Sequence, residues 1–245
     1  MKSLQVGDVE VATYVVDPPL DIRLAPRPYL HPVRTLGGTV VTDELCFDHP
    51  WHLGASVTLA DVNGRNFWGG RTFVRDRGYT WLEDHGTVRH DRWDGDTELL
   101  RWCDGDERTV LTERRRIAAS PAPGGWELSF RYALTAPDDQ PVTLGSPATN
   151  GRTGGAGYGG FFWRCPSADT AVADAEHGSA APALTLTVGD NYALTFRGLA
   201  ADDRWFVRTG DYVGVCAALA YEKPLLIPAG DTLTRHLRVL VRDLR

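Results

Sequence analysis

The stretch Trp126-Glu127-Leu128-Ser129-Phe130-Arg131-Tyr132-Ala133-Leu134 decides the fold, because a large apolar side chain occupies every second position. Such alternation is typical of an antiparallel strand with one buried face and one face in water. Residues 109–118 have a similar pattern, and the Pro- and Gly-rich segment 120–125 lies between the two. We therefore predict a β-hairpin with its turn in residues 120–125.

Short strand-like segments recur along the rest of the chain, while helical periodicity barely occurs. We predict further strands at residues 9–16, 40–43, 55–61, 98–103, 183–188, 192–197, 205–208, 213–220 and 233–242. This number is too high for one open sheet and favours two packed sheets. The expected fold is all-β, a large antiparallel β-sandwich with few short helices, and residues 1–245 are expected to form a single domain.

Composition and charge exclude several classes of partner. The formal net charge is −6, whereas a general nucleic-acid binder would show a basic face. No segment approaches the roughly 18 to 20 apolar residues of a membrane span, and the N-terminal residues do not have the pattern of a signal peptide. The four cysteines form no CxxC pair. We expect reduced cysteines in a cytoplasmic protein with neither nucleic acid nor membrane as partner.

Residues 27–69 contain the densest group of chemically active side chains. Three of the seven histidines lie there among arginines, carboxylates, aromatic rings and Pro-Gly turns. A core strand would need a partner for each buried charge or imidazole. A pocket for a polar, hydroxyl-bearing small molecule uses such a mixture, so we predict the active or binding site in this region.

His49 and His52, with Asp48, are the predicted catalytic residues. Pro50 lies between the histidines, so a loop or strand end is expected there. Two nearby imidazoles could form an acid/base pair, hold a metal or donate to sugar hydroxyls; alternatively, one histidine only caps a turn. Asp48 could orient His49 or cap the turn with its carboxylate. The sequence requires no cofactor; a divalent metal, if bound, would be held by His49, His52 and His85.

Substrate contacts are expected from guanidinium groups and from aromatic rings. Guanidinium forks suit carboxylates, carbonyls and vicinal hydroxyls, and aromatic rings stack on sugar faces. The predicted substrate-binding residues are Arg27, Tyr29, His31, Arg34, Asn63, Trp68, Tyr158, Phe162 and Arg164. The competing interpretations are surface salt bridges for the arginines and core packing for the aromatic residues.

The segment 145–160 is rich in Gly, Ser, Thr, Asn and Pro and precedes the aromatic run Phe161-Phe162-Trp163. We interpret it as a mobile loop that leads aromatic side chains into the pocket, in preference to a linker between domains. Alternation then predicts that Phe161 and Trp163 face one way and Phe162 the other.

Four blocks in order, at residues 27–32, 48–54, 61–69 and 158–164, resemble the PmoA-like family of bacterial proteins. One departure is Trp51, a position at which that family often has a third histidine, which weakens a metal site there. The family label refers to a methane mono-oxygenase subunit of a membrane-embedded copper enzyme. We do not expect that role, because the chain has no apolar segment long enough to span a membrane.

The resemblance instead implies a soluble β-sandwich similar to the galactose-mutarotase type, the supersandwich, in carbohydrate metabolism beside sugar oxidoreductases. Our first hypothesis is an enzyme of isomerase, lyase or glycoside hydrolase type. It would catalyse acid/base epimerisation, elimination or hydrolysis of a sugar or keto-sugar derivative. The alternatives are a non-catalytic module that binds a glycan or metabolite, and an accessory subunit of a sugar oxidoreductase. The oligomeric state stays open.

Overall fold

A computed structural model describes residues 1–245, and it is nearly all β-strand. One turn of 3-10 helix, Ile22–Leu24, is the only helical element. The strands are β1 (Lys2–Val6), β2 (Val9–Val15), β3 (Tyr29–Val33), β4 (Ala55–Thr58), β5 (Asp61–Val62), β6 (Thr72–Val74), β7 (Gly78–Thr80), β8 (Thr87–Asp94), β9 (Thr97–Cys103), β10 (Thr109–Ala122), β11 (Gly125–Thr135), β12 (Val142–Gly145), β13 (Gly160–Arg164), β14 (Ala171–Ala173), β15 (Ala183–Val188), β16 (Tyr192–Arg197), β17 (Arg204–Thr209), β18 (Val213–Ala218), β19 (Leu225–Ile227) and β20 (Thr232–Asp243).

Two large antiparallel sheets form the molecule. One sheet has seven strands in the order β1-β2-β3-β4-β13-β18-β17, and the other has eight in the order β14-β15-β16-β20-β11-β10-β9-β8. Two small sheets accompany them, β19-β12-β5 and β6-β7. The predicted all-β, antiparallel sandwich is confirmed.

The predicted hairpin is confirmed as β10 and β11. The alternating residues Trp126, Phe130 and Leu134 are fully buried, as the pattern requires. The turn is tighter than expected, because β10 continues to Ala122 and β11 begins at Gly125. Gly124 has a φ of 78°, a conformation that glycine adopts without steric cost in so short a turn.

The core lies between the two large sheets. Phe161 of β13 meets Phe130 of β11 with ring centroids 4.7 Å apart, and Trp163 meets Phe196 at 5.8 Å. Phe162, between the two inward residues of β13, belongs to a separate small cluster. The predicted alternation of this run is therefore confirmed, although residues 160–164 form a central strand of the sheet.

Two predicted strands are wrong in extent. Residues 40–43 form only an isolated bridge, between Val40 and Arg34, because the Thr42 hydroxyl accepts the Val33 N–H at 2.9 Å in place of a ladder partner. The predicted strand 55–61 is interrupted between β4 and β5. The sequence also missed the strands β1, β3, β6, β7, β8, β12, β13, β14 and β19, which are short, Pro- or Gly-containing, or rich in charge.

Further expectations concern thiols and membrane spans. All four cysteines are free; Cys103, Cys165 and Cys216 are buried and Cys46 is half-buried. No helix in the structure has the length and apolar character needed to cross a bilayer.

Candidate functional site

The candidate site lies on the outer face of the seven-stranded sheet, away from the main core. Because successive side chains of a strand point to opposite faces, β13 sends Phe161 and Trp163 into the core and Phe162 outward. Phe162 packs with side chains of β17 and β18 and with Trp68. This small apolar cluster forms the base on which the loops of residues 44–53 and 65–71 rest.

A cavity of about 600 Å³ opens above this base and is called the outer-face cavity below. Five residues of the predicted set line it: Asp48, His49, His52, Trp68 and Tyr158. The other lining residues are Phe47, Pro50, Trp51, Gly69, Arg71, Tyr79, Trp81, Arg152, Phe206, Arg208, Asp211 and Tyr212. A cavity of this size suits a small organic ligand.

Asp48 and His49 form a hydrogen-bonded pair at the cavity wall. The His49 Nδ1 lies 2.7 Å from Asp48 Oδ2, and Arg164 Nη2 donates to the same carboxylate at 3.1 Å. Burial acts to raise the pKa of Asp48, but the hydrogen bond from His49 and the charge of Arg164 hold it below its usual value. An ionised Asp48 accepts the proton on Nδ1, so Nε2 of a neutral His49 is left as a proton acceptor.

His52 lies deeper and has a different set of partners. Only 2% of the residue is exposed, and its Nδ1 lies 3.3 Å from Arg164 Nη1. Burial, assisted by the charge of Arg164, lowers the pKa of His52 well below its usual value, so the ring is neutral. Because an arginine N–H only donates, Nδ1 accepts and the single ring proton lies on Nε2.

The two histidines therefore offer opposite chemistry within one cavity. Their rings are stacked, with centroids 4.7 Å apart and planes 11° apart. His49 presents an acceptor at Nε2, and His52 presents a donor at Nε2. Arg164 fixes both assignments, because it contacts the Asp48 carboxylate and the His52 ring at once.

Aromatic rings enclose the histidines and form one wall of the cavity. His52 contacts Phe162 at 4.8 Å and Tyr212 at 5.1 Å between ring centroids. Trp68 contacts Tyr158 at 4.5 Å, and the Tyr158 hydroxyl lies 2.9 Å from that of Tyr79. Such a wall can stack on the apolar face of a sugar ring.

Arg27 lies beneath the cavity and does not line it. It is fully buried, and its guanidinium donates to the carbonyls of Ala25 at 3.0 Å, Trp51 at 2.9 Å and Trp68 at 3.4 Å. Burial, together with the charge of Arg115, lowers its pKa to about 9. The structure thus gives Arg27 the role of positioning the two tryptophan-bearing loops.

Tyr29 and His31 lie in a separate group beside the cavity. The Tyr29 hydroxyl donates to Glu44, and His31 Nδ1 lies 3.0 Å from the Thr42 hydroxyl. Burial lowers the pKa of His31. Neither residue lines the outer-face cavity, and Glu44 and Thr42 engage their polar atoms.

Arg34 and Asn63 are also placed elsewhere. The Arg34 guanidinium donates to the Gly38 carbonyl at 3.4 Å, and the Arg34 carbonyl accepts from Trp126 Nε1. Asn63 has a φ of 49° in a turn, where its side chain pairs with the backbone of Pro141 and Thr143. Local backbone groups therefore engage both side chains, and neither residue lines the outer-face cavity.

The predicted metal set is not assembled. His85 Nε2 lies 2.6 Å from the Gly70 carbonyl, and its ring centroid lies 6.2 Å from that of Trp81. No group of three or more His, Cys, Asp or Glu side chains is placed to hold a metal ion. The combination of His49, His52 and His85 is therefore wrong as a ligand set.

The sequence missed three arginines that line the cavity. Arg152 lies in the glycine-rich segment 145–160, which was predicted to border the pocket, so its position was within reach of the same reasoning. Arg71 follows directly after the Trp68-Gly69-Gly70 turn. Arg208 lies near the end of β17, and no local sequence signal distinguishes it from surface arginines.

One family model matches the chain over residues 2–245, and its description is a family of unknown function, DUF6807. The chain belongs to the DUF6807 family. A comparison with curated proteins gives no match for this DUF6807 chain. The family match covers residues 2–245, and its description names no reaction, substrate or ligand.

Proposed function

We propose that this protein is a carbohydrate-active enzyme that transfers a proton at a carbon of a sugar or keto-sugar derivative. The single observation that supports this proposal most is the pairing of an acceptor histidine with a donor histidine in one aromatic cavity. Proton abstraction beside a carbonyl needs both functions, a base for the C–H and a donor for the oxygen that becomes negative.

The reaction follows from the two ring nitrogens. Nε2 of His49 removes the proton from the carbon beside the carbonyl, and the C–H electron pair forms a C=C bond. The carbonyl π electrons move to the oxygen, which accepts a hydrogen bond from Nε2–H of His52. A water molecule that delivers a proton to the opposite face of that carbon completes an epimerisation, and His49 then releases the removed proton to solvent. Departure of a β-substituent with its electron pair completes an elimination.

The aromatic wall supports a sugar as the reactant. Trp68 and Tyr158 line the cavity beside the histidines, and Tyr79 and Tyr212 bring hydroxyl groups to the same wall. Sugars combine apolar ring faces with hydroxyls, which matches this mixture.

Solvent exchange tests the proposal directly. The protein is incubated in D₂O with a panel of aldoses, ketoses and 3-keto-glycosides, and proton NMR follows loss of C–H signals. We expect exchange beside the carbonyl with the wild type. His49→Asn retains an N–H that faces Asp48 but lacks Nε2, so exchange should fall by about 10²- to 10⁴-fold. Retained exchange in this variant would remove His49 from the role of base.

A non-catalytic sugar-binding module is the second candidate, favoured by the aromatic wall, which needs no titrating pair. Calorimetry with the same panel, followed by analysis of the recovered sugar, separates the two candidates. Binding with an unchanged ligand and no exchange would favour the module.

The resemblance supports three further proposals. These are membership of the PmoA-like group, its galactose-mutarotase-like sandwich, and association with a sugar oxidoreductase; a cytoplasmic location is proposed separately, from the expectation of reduced cysteines. Co-purification from the native host tests that association, with an oxidoreductase as the expected partner.

A further inference from the structure

The outer-face cavity is rich in positive charge although the chain as a whole is acidic, with a formal net charge of −6. Arg71, Arg152 and Arg208 all line the cavity. Of the two lining carboxylates, Asp48 is engaged by Arg164 and His49, which leaves Asp211. The cavity therefore has more guanidinium groups than free carboxylates.

None of the three lining arginines forms an ion pair within the chain. Arg71 contacts only the Trp81 ring, at 5.9 Å from its centroid. Arg152 donates to the Tyr79 hydroxyl at 2.6 Å. Arg208 donates to the Val207 carbonyl at 3.1 Å and lies 3.3 Å from His177 Nδ1. Since a guanidinium carries five N–H donors, each of the three retains donors for a ligand.

We propose that the substrate is a sugar acid whose carboxylate is bound by the arginines of this cavity. This inference rests on the proposed function and narrows its substrate class. The planar fork of a guanidinium matches a carboxylate with two parallel hydrogen bonds. A phosphate would also attract these arginines, but a carboxylate acidifies the C–H beside it once cations neutralise its charge. That C–H is the bond on which the His49 and His52 pair is proposed to act.

Calorimetry with five probes tests this substrate class. The probes are D-galacturonate, D-glucuronate, D-galactose, D-glucose and D-glucose 6-phosphate. With the wild type we expect at least one uronate to bind about tenfold or more tightly than its neutral counterpart. Arg71→Gln and Arg152→Gln should each weaken uronate binding by about tenfold or more, the usual effect of losing a charged hydrogen bond. In both variants the affinity for neutral sugars should fall by less than the affinity for uronates.

Arg238→Gln is the matched control, because it removes the same charge from an exposed position on β20, outside the cavity. Its uronate affinity should equal that of the wild type; an equal loss in this variant would assign the effect to overall charge and overturn the inference. Equal affinity for uronates and neutral sugars would overturn the sugar-acid inference and leave the proposed function standing. A higher affinity for glucose 6-phosphate than for either uronate would have the same consequence. No affinity for either uronate would also overturn the inference, whereas the proposed function fails only if the solvent-exchange experiment shows no exchange with any sugar of its panel.

Discussion

His49 and His52 show how neighbouring groups give two identical side chains different properties. Asp48 engages Nδ1 of His49, and Arg164 engages Nδ1 of His52. A carboxylate accepts and a guanidinium donates, so the two rings carry their protons on opposite nitrogens. The sequence predicts that the pair converges, yet it cannot distinguish the two roles, because Arg164 is distant in sequence from both histidines.

The low pKa of His52 predicts a pH dependence of stability. A histidine whose pKa is lower in the folded state contributes stability above its unfolded value of about 6.5, and this contribution is lost as the pH falls. His52→Asn retains an acceptor for Arg164 but does not titrate. Urea unfolding at pH 7.5 and 5.5 should therefore show a smaller loss of stability in this variant. The free energy of unfolding of the variant should still fall somewhat with pH, because the pKa values of three other histidines are also lowered, His31, His177 and His236. An equal loss of unfolding free energy between pH 7.5 and 5.5 in the wild type and in His52→Asn would contradict the lowered pKa of His52.

At the scale of the element, contacts between loops determine the shape of the cavity. Gly69 and Gly70 have φ values of 97° and 70° and lie against Trp51. A Cβ on Gly70 would approach the Trp51 ring to 2.7 Å. These two glycines thus let the tryptophan lie flat against the chain between Trp68 and Arg71.

Gly70→Ala should therefore displace Trp51 and weaken ligand binding. The matched control is Gly64→Ala, with a φ of 80° and no atom within 4 Å of the added Cβ. Both variants bear the strain of a positive φ, about 1–2 kcal/mol, but only Gly70→Ala adds the clash. Urea unfolding and calorimetry measure the two effects. Equal losses of stability and unchanged sugar binding would show that Trp51 moves freely.

Alternating strands were predictable and the loops were not. The pattern of residues 126–134 is local, so β11 and its buried face follow from the sequence. The roles of Arg27 and His85 depend on backbone carbonyls supplied by loops, including Trp51, Trp68 and Gly70, which have no sequence signature. Two of the predicted substrate arginines therefore proved to be backbone anchors, Arg27 and Arg34.

At the scale of the whole molecule, a buried polar cluster connects the two large sheets. Arg115 of β10 donates to Glu113 at 2.7 Å and to the Tyr14 hydroxyl of β2 at 2.9 Å. The same hydroxyl donates to Glu98 of β9. All four side chains are buried. Burial acts to lower the pKa of Arg115, but the charge of Glu113 holds that pKa above its usual value.

Arg115→Met should lower the free energy of unfolding by about 3–5 kcal/mol, because it leaves buried carboxylates without their cation. Arg116→Met is the control on the neighbouring residue, whose exposed ion pair with Asp96 at 3.2 Å should contribute less than about 1 kcal/mol. Urea unfolding at pH 7.5 compares the two. Similar losses in both variants would show that the cluster is not a determinant of stability.

The strand of residues 160–164 contributes both to the core and to the candidate site. Its first and third aromatic rings stabilise the interior, while the ring between them supports the histidine pair. If the pairing of this strand shifted by one residue, Phe161 and Trp163 would face outward and Phe162 would face the core. A sheet that closes in the wrong alignment would thus lose the candidate site and the core packing together, so recovery of the proposed activity would serve as a sensitive assay of correct refolding.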